Sequence, residues 1–215
     1  MKKYFYEETG MYVDWGQLKK LPEIDTLIDV GVGPDGTPLL YERFAHKKFV
    51  LIDPLDESEK FFNQKMLGND SIFIKTALGD RDGVATINVE RELGRSTILS
   101  VTDINFEGDP IRRVDIPIRR LDDVLAPHPN LGKLGIKIDT EGYELDVIRG
   151  ASASLKSTKF VLAEVRHNHE SFHNVYKLWE FVSQMQKYGF VLSMILTAKP
   201  FISDLCFQPM VDLGE

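Results

Sequence analysis

Apolar residues alternate along the chain between short β-branched runs and longer stretches at helical spacing. Thr26–Val30 is the first such run, and it ends at a glycine turn. Thr37-Pro38 then offers a helix start, Thr as N-cap and Pro at the first helical position, with Leu39, Leu40 and Phe44 as the buried stripe. Phe49–Ile52 reads as a second strand. Asp56 and Glu59, at capping-box spacing, open a helix carrying Phe61, Phe62 and Met66. A third strand at Ile72–Ile74 runs on to Ala77-Leu78.

The rhythm changes after Asp80-Arg-Asp-Gly83, a turn signal followed by an extended Val84–Val89, so a hairpin-like excursion is expected. Residues 91–113 are polar and show no period. Val114, Ile116 and Ile118 alternate, and a short helix at LDDVL follows. Leu134–Ile138 and Phe160–Val165 read as further core strands, with a helix beginning near Tyr143-Glu144 between them. Val175, Leu178, Trp179, Val182 and Met185 predict one buried helix face, closed by Gly189. Strands at Phe190–Leu196 and Leu205–Phe207 finish the pattern. Strands alternating with helices predict an α/β fold with a mostly parallel sheet covered on both faces.

A chain of 215 residues is expected to form one domain, with 1–25 an N-terminal extension or lid and 26–215 the core. Asp and Glu number 33 against 26 Lys and Arg, a formal charge of −7. That balance opposes nucleic-acid binding, which needs a basic surface to displace counterions, and opposes attachment to anionic membranes. The single cysteine, Cys206, excludes an internal disulfide and a cysteine-based zinc site. No apolar run is long enough to span a bilayer, and a reducing, cytoplasmic setting is expected.

Charge means more once it is placed. Open α/β sheets bind ligands beyond the carboxyl ends of their strands. Asp29, Asp53, Asp139 and Glu164 all fall at or near such ends. Gly31-Val-Gly33-Pro-Asp-Gly36 matches G-x-G-x-x-G, and Asp53 follows Gly33 by 20 residues. Read literally, this is a dinucleotide fingerprint with Asp53 on a ribose. Yet Asp29 and Asp35 border the turn, and no Lys or Arg occurs from Ile24 to Glu42. Carboxylates repel a pyrophosphate and suit the ammonium and sulfonium of S-adenosylmethionine. An NAD-dependent Rossmann oxidoreductase and a non-catalytic nucleoside-binding module are the rival readings.

The segments LIDVGVGPDGTPLLYERF, VLIDP, TALGDRDGVATINV, IRRLDDVL and IKIDTEGYELDVIRGA resemble the FkbM-type methyltransferases from about Leu27 onward. The resemblance implies a Rossmann-like class I methyltransferase fold, a mostly parallel seven-stranded sheet with its last strand antiparallel and helices on both faces. It implies methyl transfer from S-adenosylmethionine to a hydroxyl of a small-molecule, sugar or lipid-like acceptor. Asp29, Gly31 and Gly33 would border the methionine part of the cofactor, and Asp53 the ribose. Leu78 and Asp80 would lie along the adenine, and Asp139 and Glu141 at the methyl-transfer end. The Gly-Pro-Asp-Gly turn is about one residue longer than is usual in that family. For a general base, His167 is the first candidate, because imidazole titrates near neutral pH, and Glu141 the second. No metal is expected at the site.

Overall fold

The computed structural model describes residues 4–6, 11–65, 70–100, 111–167 and 175–210. Met66, named above as a helix residue, lies outside them, as do residues 101–110 of the excursion.

In chain order the strands and α-helices are β1 (Tyr4–Tyr6), β2 (Met11–Val13), β3 (Thr26–Val30), α1 (Pro38–Arg43), β4 (Lys48–Ile52), α2 (Asp56–Lys65), β5 (Ile72–Ile74), β6 (Ala77–Leu78) and β7 (Gly83–Val89). They continue as β8 (Arg112–Arg119), α3 (Leu121–Leu125), β9 (Leu134–Ile138), α4 (Glu144–Arg149), β10 (Thr158–Arg166), α5 (Leu178–Lys187), β11 (Phe190–Ala198) and β12 (Ile202–Pro209). The main sheet runs β1-β2-β11-β12-β10-β9-β3-β4-β5. Strands β10, β9, β3, β4 and β5 are mutually parallel, and β12 enters antiparallel between β10 and β11. The seven strands β11-β12-β10-β9-β3-β4-β5, with β12, the last in the chain, antiparallel to its neighbours, are the expected sheet.

Two features extend it. Strand β2 pairs antiparallel with β11 through Val13↔Thr197 and Tyr12↔Ala198, so the described part of the N-terminal extension lengthens the sheet edge. The excursion builds a second sheet, β6-β8-β7. The expected continuation of the third strand into Ala77-Leu78 breaks at Thr76, whose N–H turns back to the Ile74 carbonyl (3.1 Å) while its hydroxyl donates to that of Pro117 (3.1 Å). Ala77 and Leu78 therefore pair with Ile118 and Arg119 of β8.

The core strands formed as predicted because they are buried on both faces, where unbroken apolar runs are at home. Residues of α3, α4 and α5, among them Leu121, Val147 and Met185, pack on one side of the sheet. Leu18, Leu40, Phe44 and Phe61 pack on the other. Pro38 begins α1 as expected, but the Thr37 hydroxyl is not its cap; it donates to Asp29 at 3.4 Å. Asp56 and Glu59 likewise pair with Lys75. One face was misjudged. Helix α5 starts at Leu178, after Val175, and its inward stripe is Leu178, Phe181, Val182 and Met185; Trp179 is 68% exposed.

Candidate active site

A cleft of about 890 Å³, open mouth included, lies at the carboxyl ends of β3, β4 and β9. Such sheets hold their ligands at this edge. Its floor is the glycine turn. Gly31 (φ +76°) donates its N–H to the Ile52 carbonyl at 3.0 Å, and a Cβ there would overlap the main-chain carbonyl of Asp139. At Gly36 (φ +62°) a Cβ would strike the Tyr41 ring. Gly33 (φ +62°) faces open space, and a Cβ on it would have nothing nearer than Gly94 Cα at 3.9 Å.

Asp53 closes β4 and is 5% exposed. Its carboxylate accepts N–H bonds from Gly33 (3.1 Å) and Leu55 (2.8 Å), tying the second strand's end to the turn. Burial pushes its pKa up, and those two amides oppose the shift. The small sheet, through Leu78 and Ile87, and the segment after β7, through Leu93 and Ile98, form the apolar wall of the cleft.

At the far end, Asp139 accepts a bond from Lys137 Nζ at 3.0 Å. Lys137 is a lysine inside a core strand, 3% exposed. Burial works against its charge, but Asp139, Asp29 and Asp204 outweigh that and keep it protonated. Glu141 stands in the left-handed region (φ +54°), pairs with Arg166, and has its main-chain carbonyl held by the Thr97 hydroxyl at 2.8 Å. Burial pushes the Glu141 carboxyl up to about 7, with Arg166 opposing and Asp139 and Glu144 adding to the shift. Carboxylate oxygens of Asp139, Glu141 and Glu164 lie within 4.8 Å of one another. Each of the three meets a side-chain cation, respectively Lys137, Arg166 and Lys199.

Of the expected site residues, Gly31, Gly33, Asp53, Leu78, Asp139 and Glu141 line the cleft together. Three others point elsewhere. Asp29 is fully buried beneath the turn, where one oxygen takes the Tyr41 and Thr37 hydroxyls and the other has no hydrogen-bond partner; burial pushes its pKa up to about 6. It supports the turn from inside the sheet face. Asp80 sits on an exposed turn with its carboxylate near Arg81, 3.8 Å away, because Leu78 is the last residue of its strand to face the cleft. His167 follows β10 along the β12 ladder, its N–H bonded to the Phe201 carbonyl at 3.0 Å and its Nε2 3.0 Å from Ser203 Oγ. It borders a separate shallow hollow with Lys177 and Trp179.

Sequence reasoning undervalued Thr97 and Leu93, in the stretch without period, and did not single out Lys137, Arg166 or Tyr143. Lys137 carried a signal, as a lone charge inside an apolar strand.

The fit to S-adenosylmethionine is testable on the lining. Asp35, Asp53, Asp139 and Glu141 bring four carboxylates, and no lysine, arginine or histidine lines the cleft among the described residues. A pyrophosphate would find no counter-charge there, while a sulfonium and an ammonium find several. The open side of Gly33 leaves room for close approach, and the apolar wall suits an adenine.

A profile of the methyltransferase FkbM domain matches residues 29–192. No curated protein matches the chain. Among solved structures the chain is similar to a Listeria monocytogenes protein assigned as an S-adenosylmethionine dependent methyltransferase, at 12% identity and a TM-score of 0.50, over 92% of this chain and 98% of that one. It is also similar to a SAM dependent methyltransferase from Aquifex aeolicus, at 13% identity and a TM-score of 0.48, over 92% and 90% of the two chains. Against LaPhzM, with 10% identity and a TM-score of 0.42, the match covers 91% of this chain and 54% of that one, so the chain spans about half of LaPhzM's length. At 12% identity the likeness to the Listeria monocytogenes structure speaks to the fold alone. No helix among the described residues is long and apolar enough to cross a membrane.

Proposed function

This chain belongs to the FkbM methyltransferase family, whose methyl donor is S-adenosylmethionine, and on that premise we propose that it methylates a hydroxyl oxygen of a small-molecule, sugar or lipid-like acceptor. When bound, S-adenosylmethionine supplies an activated methyl group on a sulfonium. The protein's own work is to hold, align and exclude water. Asp53 would hold the ribose hydroxyls, Leu78 and its apolar neighbours the adenine, and the Gly31 and Gly33 main chain the methionine part. Asp139, fixed by Lys137, puts a negative charge beside the cationic end.

An acceptor hydroxyl must lose its proton as its oxygen takes the methyl group. Glu141 is the group best suited to receive that proton. One observation carries this: it lines the cleft at the β9 end with its carboxyl held up to about 7, near the optimum for a base working at neutral pH. The arrangement around His167 gives that residue less support, since its ring is engaged with Ser203 outside the cleft.

The test is methyl transfer from S-adenosylmethionine labelled in its methyl group to a panel of sugars, glycolipids and phenols, with the product located by mass spectrometry. An O-methyl product is expected. Methyl groups found only on nitrogen or carbon would overturn the hydroxyl assignment, and no transfer across the panel would favour a binding module.

A further inference from the structure

Glu141 occupies a backbone conformation that disfavours any side chain, so its placement at the cleft needs a restraint outside the residue itself. Glu144, the first residue of α4 and 1% exposed, supplies one. Its Oε1 accepts the Thr140 N–H (2.9 Å), the Thr140 hydroxyl (3.0 Å) and the Gly142 N–H (3.0 Å), which brackets Glu141 on both sides. Its Oε2 accepts the Tyr176 hydroxyl at 2.8 Å. Tyr176 in turn lies by the main-chain amide of Arg166, the residue whose guanidinium pairs with Glu141. Four hydrogen bonds thus converge on this one buried carboxyl.

We propose that Glu144 is the positioning residue of this site: it fixes the Thr140–Gly142 turn and, through Tyr176, the strand end carrying Arg166, and so holds Glu141 at the cleft. The inference rests on the reading of Glu141 as the proton acceptor, and it gives the helix-opening glutamate a task beyond capping. Glu144 touches neither cofactor nor acceptor; it acts through Glu141. Charged groups face Glu141 from three elements: Asp139 at the end of β9, Glu164 and Arg166 on β10, and Glu144 on α4. The Glu144 charge adds to the upward push on the Glu141 carboxyl, so neutralising it has a readable sign.

The experiment is a carbon NMR titration of the whole protein labelled at its glutamate carboxyls, with the Glu141 signal identified by its loss in Glu141→Gln. Glu144→Gln keeps size and an accepting oxygen but not the charge. It should bind S-adenosylhomocysteine within about threefold of the parent and lower the Glu141 midpoint by about half a pH unit or more. An unchanged midpoint in a folded Glu144→Gln would overturn the proposal. If that variant does not fold, Tyr176→Phe keeps the ring and removes one of the four donors; a displaced Glu141 midpoint supports the proposal and an undisturbed one overturns it. The titration observes the Glu141 carboxyl without any acceptor. Its failure is therefore distinct from a failure of the base assignment, which turnover by Glu141→Gln decides.

Discussion

Gly31 rests directly against the main-chain carbonyl of Asp139, so the turn after β3 and the loop after β9 meet with no space for a side chain between them. The Asp139 N–H reaches back to the Val30 carbonyl at 2.9 Å, closing the same junction. This contact joins the two halves of the cleft, the glycine floor and the carboxylate end. Gly31→Ala must overlap that carbonyl and also adopt a positive φ. Overpacking and left-handed backbone together should cost on the order of 3 kcal/mol. Denaturant unfolding should reveal the loss, and S-adenosylhomocysteine binding should fall with it; a variant of parental stability would contradict the packing described.

Tyr41 donates its hydroxyl to Asp29, whose second oxygen already lacks a partner in the buried face. Tyr41→Phe would leave the buried carboxylate with little beyond Thr37 at 3.4 Å. A loss of about 1–3 kcal/mol is expected by urea unfolding. The loss should be smaller at pH 5 than at pH 8, because a carboxyl with a pKa of about 6 is mostly neutral at the lower pH. An equal loss at both values would show that the Asp29 charge is not involved.

Glu141→Gln should lower turnover by roughly 10²–10⁴-fold with S-adenosylhomocysteine affinity little changed. In the parent enzyme turnover should rise with pH through about 7, as the base ionises. His167→Ala should retain most of its turnover, since its ring faces Ser203. The reverse pattern, with His167→Ala inactive and Glu141→Gln active, would move the base to the end of β10.

Glu164 is held well above the usual carboxylate range by burial and by the neighbouring Asp139, Glu141 and Asp204. The folded protein thus keeps a proton that the unfolded chain releases above its ordinary value of 4.5. Stability must then fall as pH rises from there through neutrality. Glu164→Gln lacks that slope. Its melting temperature should match the parent near pH 5 and exceed it increasingly toward pH 8, as thermal scans at several pH values would record. A constant difference across the range would exclude the linkage.

The sheet strands were readable because strands buried on both faces need apolar, β-branched runs. The carboxylates at strand ends were readable for the same reason: Asp53 and Asp139 each follow an apolar run directly. Asp29 sits one residue inside its strand, where the pleat turns its side chain into the sheet face toward Tyr41, a contact that sequence spacing does not reveal. Trp179 was misjudged because Val175 shares the helical period yet precedes the helix, which shifts the phase of the stripe. The wall built by Leu93, Ser96 and Ile98 leaves no periodic trace, since a short irregular segment packs by tertiary contact alone. Glu144 was legible only as the start of a helix, since nothing in its spacing shows that its carboxyl folds back onto the turn before it.

Every role proposed for the site depends on this cleft taking S-adenosylmethionine with Asp53 on the ribose. A calorimetric titration of S-adenosylhomocysteine into the parent protein and Asp53→Asn, with NAD as the control ligand, tests it most directly. Stoichiometric binding by the parent is predicted, weakened roughly tenfold or more in Asp53→Asn because a charged hydrogen-bond acceptor is lost, with no heat from NAD. Binding of NAD in place of S-adenosylhomocysteine, or equal S-adenosylhomocysteine affinity in the two proteins, would contradict it.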